Sequence, residues 1–157
     1  MKYLTKILII CITSLLLVSC QPKPDLKTEE QKIIQLFDEL AINANQANWE
    51  AYSKLWNNSP KLQVIHPNSG DWLSGWQEFA KVYEPIIKKG VNADYVKKDF
   101  RINFSNTGEL AWGTVDLTMR FEQNDSLIHR TWNVFVAEKI DNEWKLDLVS
   151  QSVPKTK

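Results

Sequence analysis

The spacing of apolar residues changes near residue 93, and this change limits what the chain can fold into. Before it, apolar residues recur every three or four positions, as on the buried face of an amphipathic helix. After it, apolar and polar residues alternate, as on a half-buried strand. Helical segments followed by consecutive strands with short connections are typical of an α+β domain. The sequence therefore predicts helices packed on an antiparallel sheet.

Three segments ahead of residue 93 carry helix signals. Thr28, followed three residues later by Gln31, forms a capping-box pattern that predicts a long first helix. Asn48 is the predicted cap of a short second helix, which must end before the proline of "NNSP". A third helix is predicted to start at Ser74. Pro85 is expected to kink it or to split off its last turn, because the proline ring removes a hydrogen bond.

Alternating segments predict the strands. One, "LQVIHP", lies between the second and third helices, and four more follow residue 93 near 95–104, 110–122, 127–139 and 144–153. The turn signals between these four are Asn106 to Gly108, Asn124 to Ser126, and Asp141 to Asn142. Such short connections favour an antiparallel meander.

The strand predicted at 127–139 is apolar on both sides. Trp132, Val134 and Val136 face one way, while Phe135 and Ala137 face the other. Helices can cover only one side of this strand. We hypothesise that a second copy of the chain covers the other side, as a homodimer through the sheet. Sedimentation showing only monomer at tens of micromolar would contradict this.

The first twenty residues predict an export signal. Lys2 and Lys6 precede the apolar run Ile7 to Val18, which as a helix would reach only about 18 Å. A bilayer core of roughly 30 Å is too thick for this run to span. The sequence "LVSC" that ends it resembles the lipobox of bacterial lipoproteins, in which the signal is cut before the cysteine and the cysteine is acylated.

The predicted cleavage before Cys20 divides the chain into three parts. Residues 1–19 are the signal peptide, 20–27 the lipidated Cys20 with a proline-containing tether, and 28–157 the folded domain. The resemblance implies the lipid bilayer as a partner. Because Gln21 rather than aspartate follows the cysteine, it also implies the outer membrane of a Gram-negative bacterium.

Charge and histidine content narrow the function classes. Removal of residues 1–19 takes away two lysines and leaves 17 basic against 19 acidic residues, so nothing favours nucleic acid as a partner. His66 and His129 are the two histidines, and neither forms a short-spaced ligand pair with another histidine or a cysteine. We therefore expect no metal site and no cofactor.

The chain from Thr28 to Val153 resembles the nuclear transport factor 2-like superfamily, in particular its SnoaL-like branch. The resemblance lies in the order of elements and in four local features: the helix Trp49 to Trp56, the strand ending in "VIHP", "SGW" at the third helix, and "EWKL" in the last strand. It implies a cone, in which a curved antiparallel sheet wraps the long first helix and leaves a pocket at its open end.

The same resemblance implies candidate catalytic residues. Isomerases of this superfamily place a general-base aspartate just before a proline at the end of the first strand, a position that His66 occupies here. Asn133 falls near an acid that donates a hydrogen bond to the substrate oxygen, and Asp71 or Asp116 could orient His66. The tyrosine that these isomerases carry on helix 1, and the histidines that some relatives carry on the last strand, have no counterparts.

Two function classes remain open at this stage. The favoured one is a non-catalytic pocket for a small, largely apolar ligand, and the alternative is an isomerase, dehydratase or cyclase that uses His66 as general base. The predicted lining is Tyr52, Trp56, His66, Trp72, Trp76 and Tyr83. The polar side of the strand at 110–122, with Asp116 and Arg120, either lines this cavity or forms a solvated ladder on the outer face. His66 could equally be a structural histidine.

Overall fold

The structure is a computed structural model that describes residues 24–65, 71–121 and 128–153. The signal segment, Cys20 and His66 lie outside the described residues. Within them the helices are α1 (Leu26–Asn45), α2 (Trp49–Ser53) and α3 (Trp76–Ile87). The strands are β1 (Gln63–Ile65), β2 (Trp72–Ser74), β3 (Ala93–Phe104), β4 (Leu110–Phe121), β5 (Ile128–Ile140) and β6 (Glu143–Ser152). None of the described helices has the length and apolar character that crossing a membrane requires.

The strands form one sheet in the order β2-β1-β6-β5-β4-β3. The predicted meander is confirmed, because β3 to β6 pair with their sequence neighbours in antiparallel fashion. β1, however, runs parallel to β6 and pairs antiparallel with β2. β2 was not predicted, since three residues are too few to show an alternating period.

The helix boundaries differ from the prediction at two starts. α1 begins at Leu26, because Asp25 accepts hydrogen bonds from the Lys27 N–H at 3.2 Å and from the Thr28 hydroxyl at 2.7 Å. Thr28 is therefore a donor within the cap and not the cap itself. α3 begins after Gly75, since Ser74 belongs to β2.

Two other helix predictions concern Asn48 and Pro85. The Asn48 cap is confirmed, with its side-chain oxygen 3.1 Å from the Ala51 nitrogen. α3 continues through Pro85 to Ile87, so the proline does not split off the last turn.

Irregular pairing accompanies the curvature of the sheet. The β3–β4 register shifts between Lys98 and Arg101, where Asp99 has a φ of 51°. A second shift in the β5–β6 pairing lies between Val136 and Ala137. Bulges of this kind bend a strand and increase its twist. The sheet thereby curves around α1, whose Ile33 and Phe37 pack into one core with Phe135.

The buried carboxylate of Glu29 links the start of α1 to the β5–β6 hairpin by hydrogen bonds and an ion pair. The Glu29 side chain is 9% exposed, and its Oε2 accepts from Trp144 Nε1 at 2.7 Å and from Lys139 Nζ at 2.8 Å. Its Oε1 accepts from Lys32 at 2.9 Å. Burial by itself would raise the pKa of Glu29, but these three hydrogen bonds outweigh it and lower the pKa to about 2.

The outer face of the sheet is apolar along β5, and on β4 only at its first residues, Leu110 and Trp112. Trp132 and Val134 are half exposed there, whereas Phe135 and Ala137 on the inner face are fully buried. The two-sided apolar character predicted for β5 is thus confirmed. That a second copy of the chain covers the outer face stays a prediction.

Candidate ligand-binding site

A cavity of about 300 Å³ lies between α1, α3 and the inner face of the sheet. Its walls are mostly apolar. α1 contributes Leu40, Ala41 and Ala44, which recur at helical spacing and so share the face turned to the sheet. β4 contributes Leu117, Met119 and Phe121, which alternate along one side of the strand.

Three phenols line this cavity: Tyr52 from α2's single turn, Tyr83 from α3 and Tyr95 from β3. Burial raises the pKa of Tyr83 and of Tyr95 to about 12. Burial, followed by the nearby Tyr83 and Tyr95, raises the pKa of Tyr52 well above its usual value of 10. All three hydroxyls therefore stay protonated at neutral pH and can donate hydrogen bonds.

Trp56 lines the same cavity and is 6% exposed. Its indole nitrogen has no hydrogen-bond partner of acceptable geometry among the described residues. The group is nevertheless close enough to the Tyr52 hydroxyl to oppose slightly the rise in that pKa. The two groups are therefore near each other without forming a hydrogen bond, which needs alignment as well as proximity.

Asn133, a candidate catalytic residue, lies in the cavity wall and is 2% exposed. Its amide nitrogen donates to the Thr131 hydroxyl at 3.1 Å and faces the carbonyl oxygens of Thr131 and Val115 at 3.4 and 3.5 Å. The amide nitrogen that was expected to donate to a substrate oxygen is thus engaged within the protein. The amide oxygen has no hydrogen bond within the described part of the chain, so it is the atom available to a ligand.

Asp116 lies on the outer face of the sheet, away from the cavity. Its carboxylate accepts from Arg130 Nε at 3.1 Å on each oxygen, and this guanidinium lowers the pKa of Asp116. The expectation that the polar side of β4 lines the cavity is therefore wrong. On the outer face Asp116 pairs with Arg130 rather than with Arg120, and its side chain is 11% exposed against 56% for that of Arg130.

Two of the predicted tryptophans also lie elsewhere. Trp72 is 61% exposed on β2 and donates to the Gln63 side chain. Trp76 stacks on Trp49 with ring centroids 5.7 Å apart, at the start of α3 and outside the cavity wall. The face of α3 that meets the cavity is about two to three turns further on, at Tyr83 and Ile87.

Sequence reasoning missed three polar lining residues, Tyr95, Lys97 and Gln151. Tyr95 and Lys97 alternate along β3 and so share a face, which was the only available signal. Among the described residues, no cluster of three or more His, Cys, Asp or Glu side chains could hold a metal ion. The arrangement is chemically suited to enclosing an apolar molecule and to hydrogen bonding a few of its polar atoms.

The described geometry has close counterparts among solved structures. A proposed dehydratase of the nuclear transport factor 2-like family from Streptomyces avermitilis superimposes with a TM-score of 0.69 at 16% identity, over 83% of this chain and 99% of its own. A proposed scytalone dehydratase from Novosphingobium aromaticivorans gives 0.68 at 15% identity, over 83% and 87%. A nuclear transport factor 2-like superfamily protein from Salmonella enterica serovar Typhimurium gives 0.64 at 21% identity, over 83% and 94%.

These likenesses show the fold, which is the cone-shaped nuclear transport factor 2-like fold predicted from the sequence. No functionally curated protein matches the chain in sequence. The profile of the SnoaL-like domain matches residues 33–156, which is most of the chain. The chain therefore belongs to the SnoaL-like domain family.

Proposed function

We propose that this domain binds a small, largely apolar molecule in the cavity between α1, α3 and the sheet, without transforming it. The observation that carries the proposal is the cavity itself, of about 300 Å³. Protein interiors are close-packed, so a space of this size inside the fold requires an explanation. Its volume is at the lower end of the range for small-molecule sites, and its walls have the expected apolar majority.

The positions of two predicted catalytic residues favour binding over catalysis. Asp116 is on the other face of the sheet and paired with Arg130, so it cannot orient a base inside the cavity. The Asn133 nitrogen is engaged by Thr131 and is not directed at a ligand oxygen. An oxyanion needs donors that are free and aimed at it.

The proposed binding can be tested with a substitution that fills the cavity. Ala44 is 3% exposed and lines the cavity, so phenylalanine at this position would occupy ligand volume. We expect Ala44→Phe to weaken binding of the neutral fluorophore N-phenyl-1-naphthylamine by about tenfold or more, which corresponds to about 1.4 kcal/mol. Fluorescence titration measures the dissociation constant, and a thermal unfolding curve establishes that the variant is folded.

The matched control for this experiment is Trp132→Ser, which removes a half-exposed indole from the outer face of the sheet. Binding should be unchanged in this variant. The proposal would be wrong if Ala44→Phe bound the fluorophore as the wild type does, or if Trp132→Ser alone abolished binding.

A second candidate function is an isomerase, dehydratase or cyclase with His66 as general base. It is motivated by the proposed activities of two structural relatives and by Val64, which lines the cavity two positions before His66. Turnover of a panel of enolisable ketones by wild type and His66→Ala would decide the point. Equal rates for the two proteins would remove His66 from any mechanism.

We also propose that acylated Cys20 holds the domain at the cell envelope, in the outer membrane. The "LVSC" sequence supports this, as does the short interval between Cys20 and the start of α1 at Leu26, which suits a tether. In the native host, Cys20→Ser is expected to lose incorporation of labelled palmitate and to move from the membrane to the soluble fraction. Retention of both label and membrane association by the variant would contradict the proposal.

A further inference from the structure

The polar residues that line the cavity include a cation but no anion among the described residues. The phenols of Tyr52, Tyr83 and Tyr95 can donate as well as accept, the amides of Asn133 and Gln151 are neutral, and the ammonium of Lys97 only donates. Lys97 is the one cation in the described lining, and no carboxylate from the described residues faces it across the cavity. The described lining therefore presents positive charge, and no negative charge, to a ligand that enters this space.

Tyr95 and Lys97 are the two closest of these groups along the chain. They are two residues apart on β3, so both side chains project from the inner face of the sheet. The β3–β4 register places them opposite Met119 and Leu117, which also line the cavity. Tyr95 and Lys97 on β3 thus border an apolar wall on the neighbouring strand β4.

We infer that the ligand of this cavity is an apolar organic monoanion, such as a ring-containing carboxylic acid, whose charged group is bound by Lys97 and Tyr95. This inference rests on the proposed binding function and specifies the chemical class of the ligand. The phenols supply neutral donors that an anion can use without repulsion, because burial keeps them protonated.

The partner of Lys97 outside the cavity leaves room for such an anion. Its ammonium forms an ion pair with Asp38 of α1, whose side chain is 48% exposed, whereas that of Lys97 is 15% exposed. Asp38 lines a second, surface depression, to which Tyr95 and Lys97 also contribute, and it is absent from the described lining of the cavity. An ammonium has three protons to donate, so one bond to Asp38 leaves others for a ligand.

A neutral or cationic ligand would use this arrangement less well. A cation would be repelled by Lys97 and would find no compensating carboxylate among the described lining residues. Hydrogen bonds between an ammonium and an anion are roughly twice as strong as those between neutral groups. The charge is thus expected to increase affinity by about tenfold relative to an uncharged analogue with the same apolar body.

A pair of fluorophores isolates the contribution of charge. 8-Anilino-1-naphthalenesulfonate and N-phenyl-1-naphthylamine share one ring framework, and only the first carries an anionic group. We expect Lys97→Met to weaken binding of the sulfonate by about tenfold and to change binding of the neutral compound by less than about twofold. Fluorescence titrations of each compound against each protein give the four dissociation constants.

Asp38→Asn is the matched control, since it breaks the same ion pair but keeps the cation. We expect it to strengthen binding of the sulfonate by a few-fold, because it removes the competing carboxylate. If Lys97→Met and Asp38→Asn weakened sulfonate binding equally, loss of the ion pair would explain the effect and the inference would be overturned.

The same titrations separate this inference from the function on which it rests. Failure of the wild type to bind the neutral compound would overturn the proposed function, and the inference with it. Binding of the neutral compound in an Ala44→Phe-sensitive manner, with sulfonate affinity indifferent to Lys97→Met, would overturn the inference alone.

Discussion

Replacement of Glu29 by alanine is expected to lower the free energy of unfolding by about 3 kcal/mol at neutral pH, because buried donors lose their acceptor. Trp144 Nε1 and Lys139 Nζ both donate to Glu29 Oε2, at 2.7 and 2.8 Å. The Lys139 side chain is 14% exposed, so water can replace the lost carboxylate only in part. Urea unfolding of wild type and variant measures the difference.

The neighbouring Glu30 provides the control for this variant. It is exposed on the same turn of α1, so Glu30→Ala removes a similar charge near the helix start without touching the buried network. We expect a change within about 0.5 kcal/mol. Equal losses in the two variants would mean that the charge at the helix terminus matters, and not the contacts of Glu29.

The contribution of Glu29 to stability is also expected to depend on pH. The pKa of Glu29 is lowered in the folded protein from 4.5 to about 2, so the carboxylate stabilises the fold fully above pH 4.5. That stabilisation is lost as the pH falls from about 4.5 to about 2, because below both pKa values the carboxyl is protonated in the folded and in the unfolded state alike. The stability difference between wild type and Glu29→Ala should therefore shrink through this window.

Substitution of Gly113 by alanine is the second change expected to have a large effect, a loss of about 2–3 kcal/mol. A Cβ on Gly113 would lie 2.0 Å from the carbonyl oxygen of Arg101 and 3.2 Å from the Cα of Ile102. Both contacts are with backbone, which cannot rotate away as a side chain can. The close approach occurs where β3 resumes its pairing with β4 after the bulge.

Thr114→Ala on the adjacent residue is the matched control for Gly113. Thr114 is exposed on the outer face of the same strand, so its truncation should cost well under 1 kcal/mol. Thermal and urea unfolding of both variants gives the comparison. A Gly113→Ala protein as stable as the wild type would show that β3 can move aside and that the bulge is not held rigidly.

The order of elements could be predicted because each long element carries its own period. Thirteen residues of β5 or twenty of α1 give several repeats of a pattern, whereas the three residues of β2 give none. The start of α1 was misplaced since Asp25 and Thr28 are both good capping residues. Only the observed hydrogen bonds identify the acceptor as Asp25.

The site was less predictable for a different reason. Alternation along β4 separates its residues into two sets but does not say which set faces α1, because Trp112 makes the outer set partly apolar as well. The location of Asp116, in the cavity or on the outer face, therefore stayed open on the sequence alone. Tyr95 and Lys97 become candidates only after the inner face of β3 is known, whereas Tyr52, Trp56 and Tyr83 follow from helical stripes that point to the core.

The parallel pairing of β1 with β6 has a consequence for how the chain reaches its final form. Val64 lies beside Val149, so two segments separated by most of the domain's length must meet before β1 and β2 can join the sheet. Contacts between such distant segments slow folding, because the intervening loop must close first. During synthesis on the ribosome, the β1–β2 pair therefore has no strand edge to join until β6 has emerged.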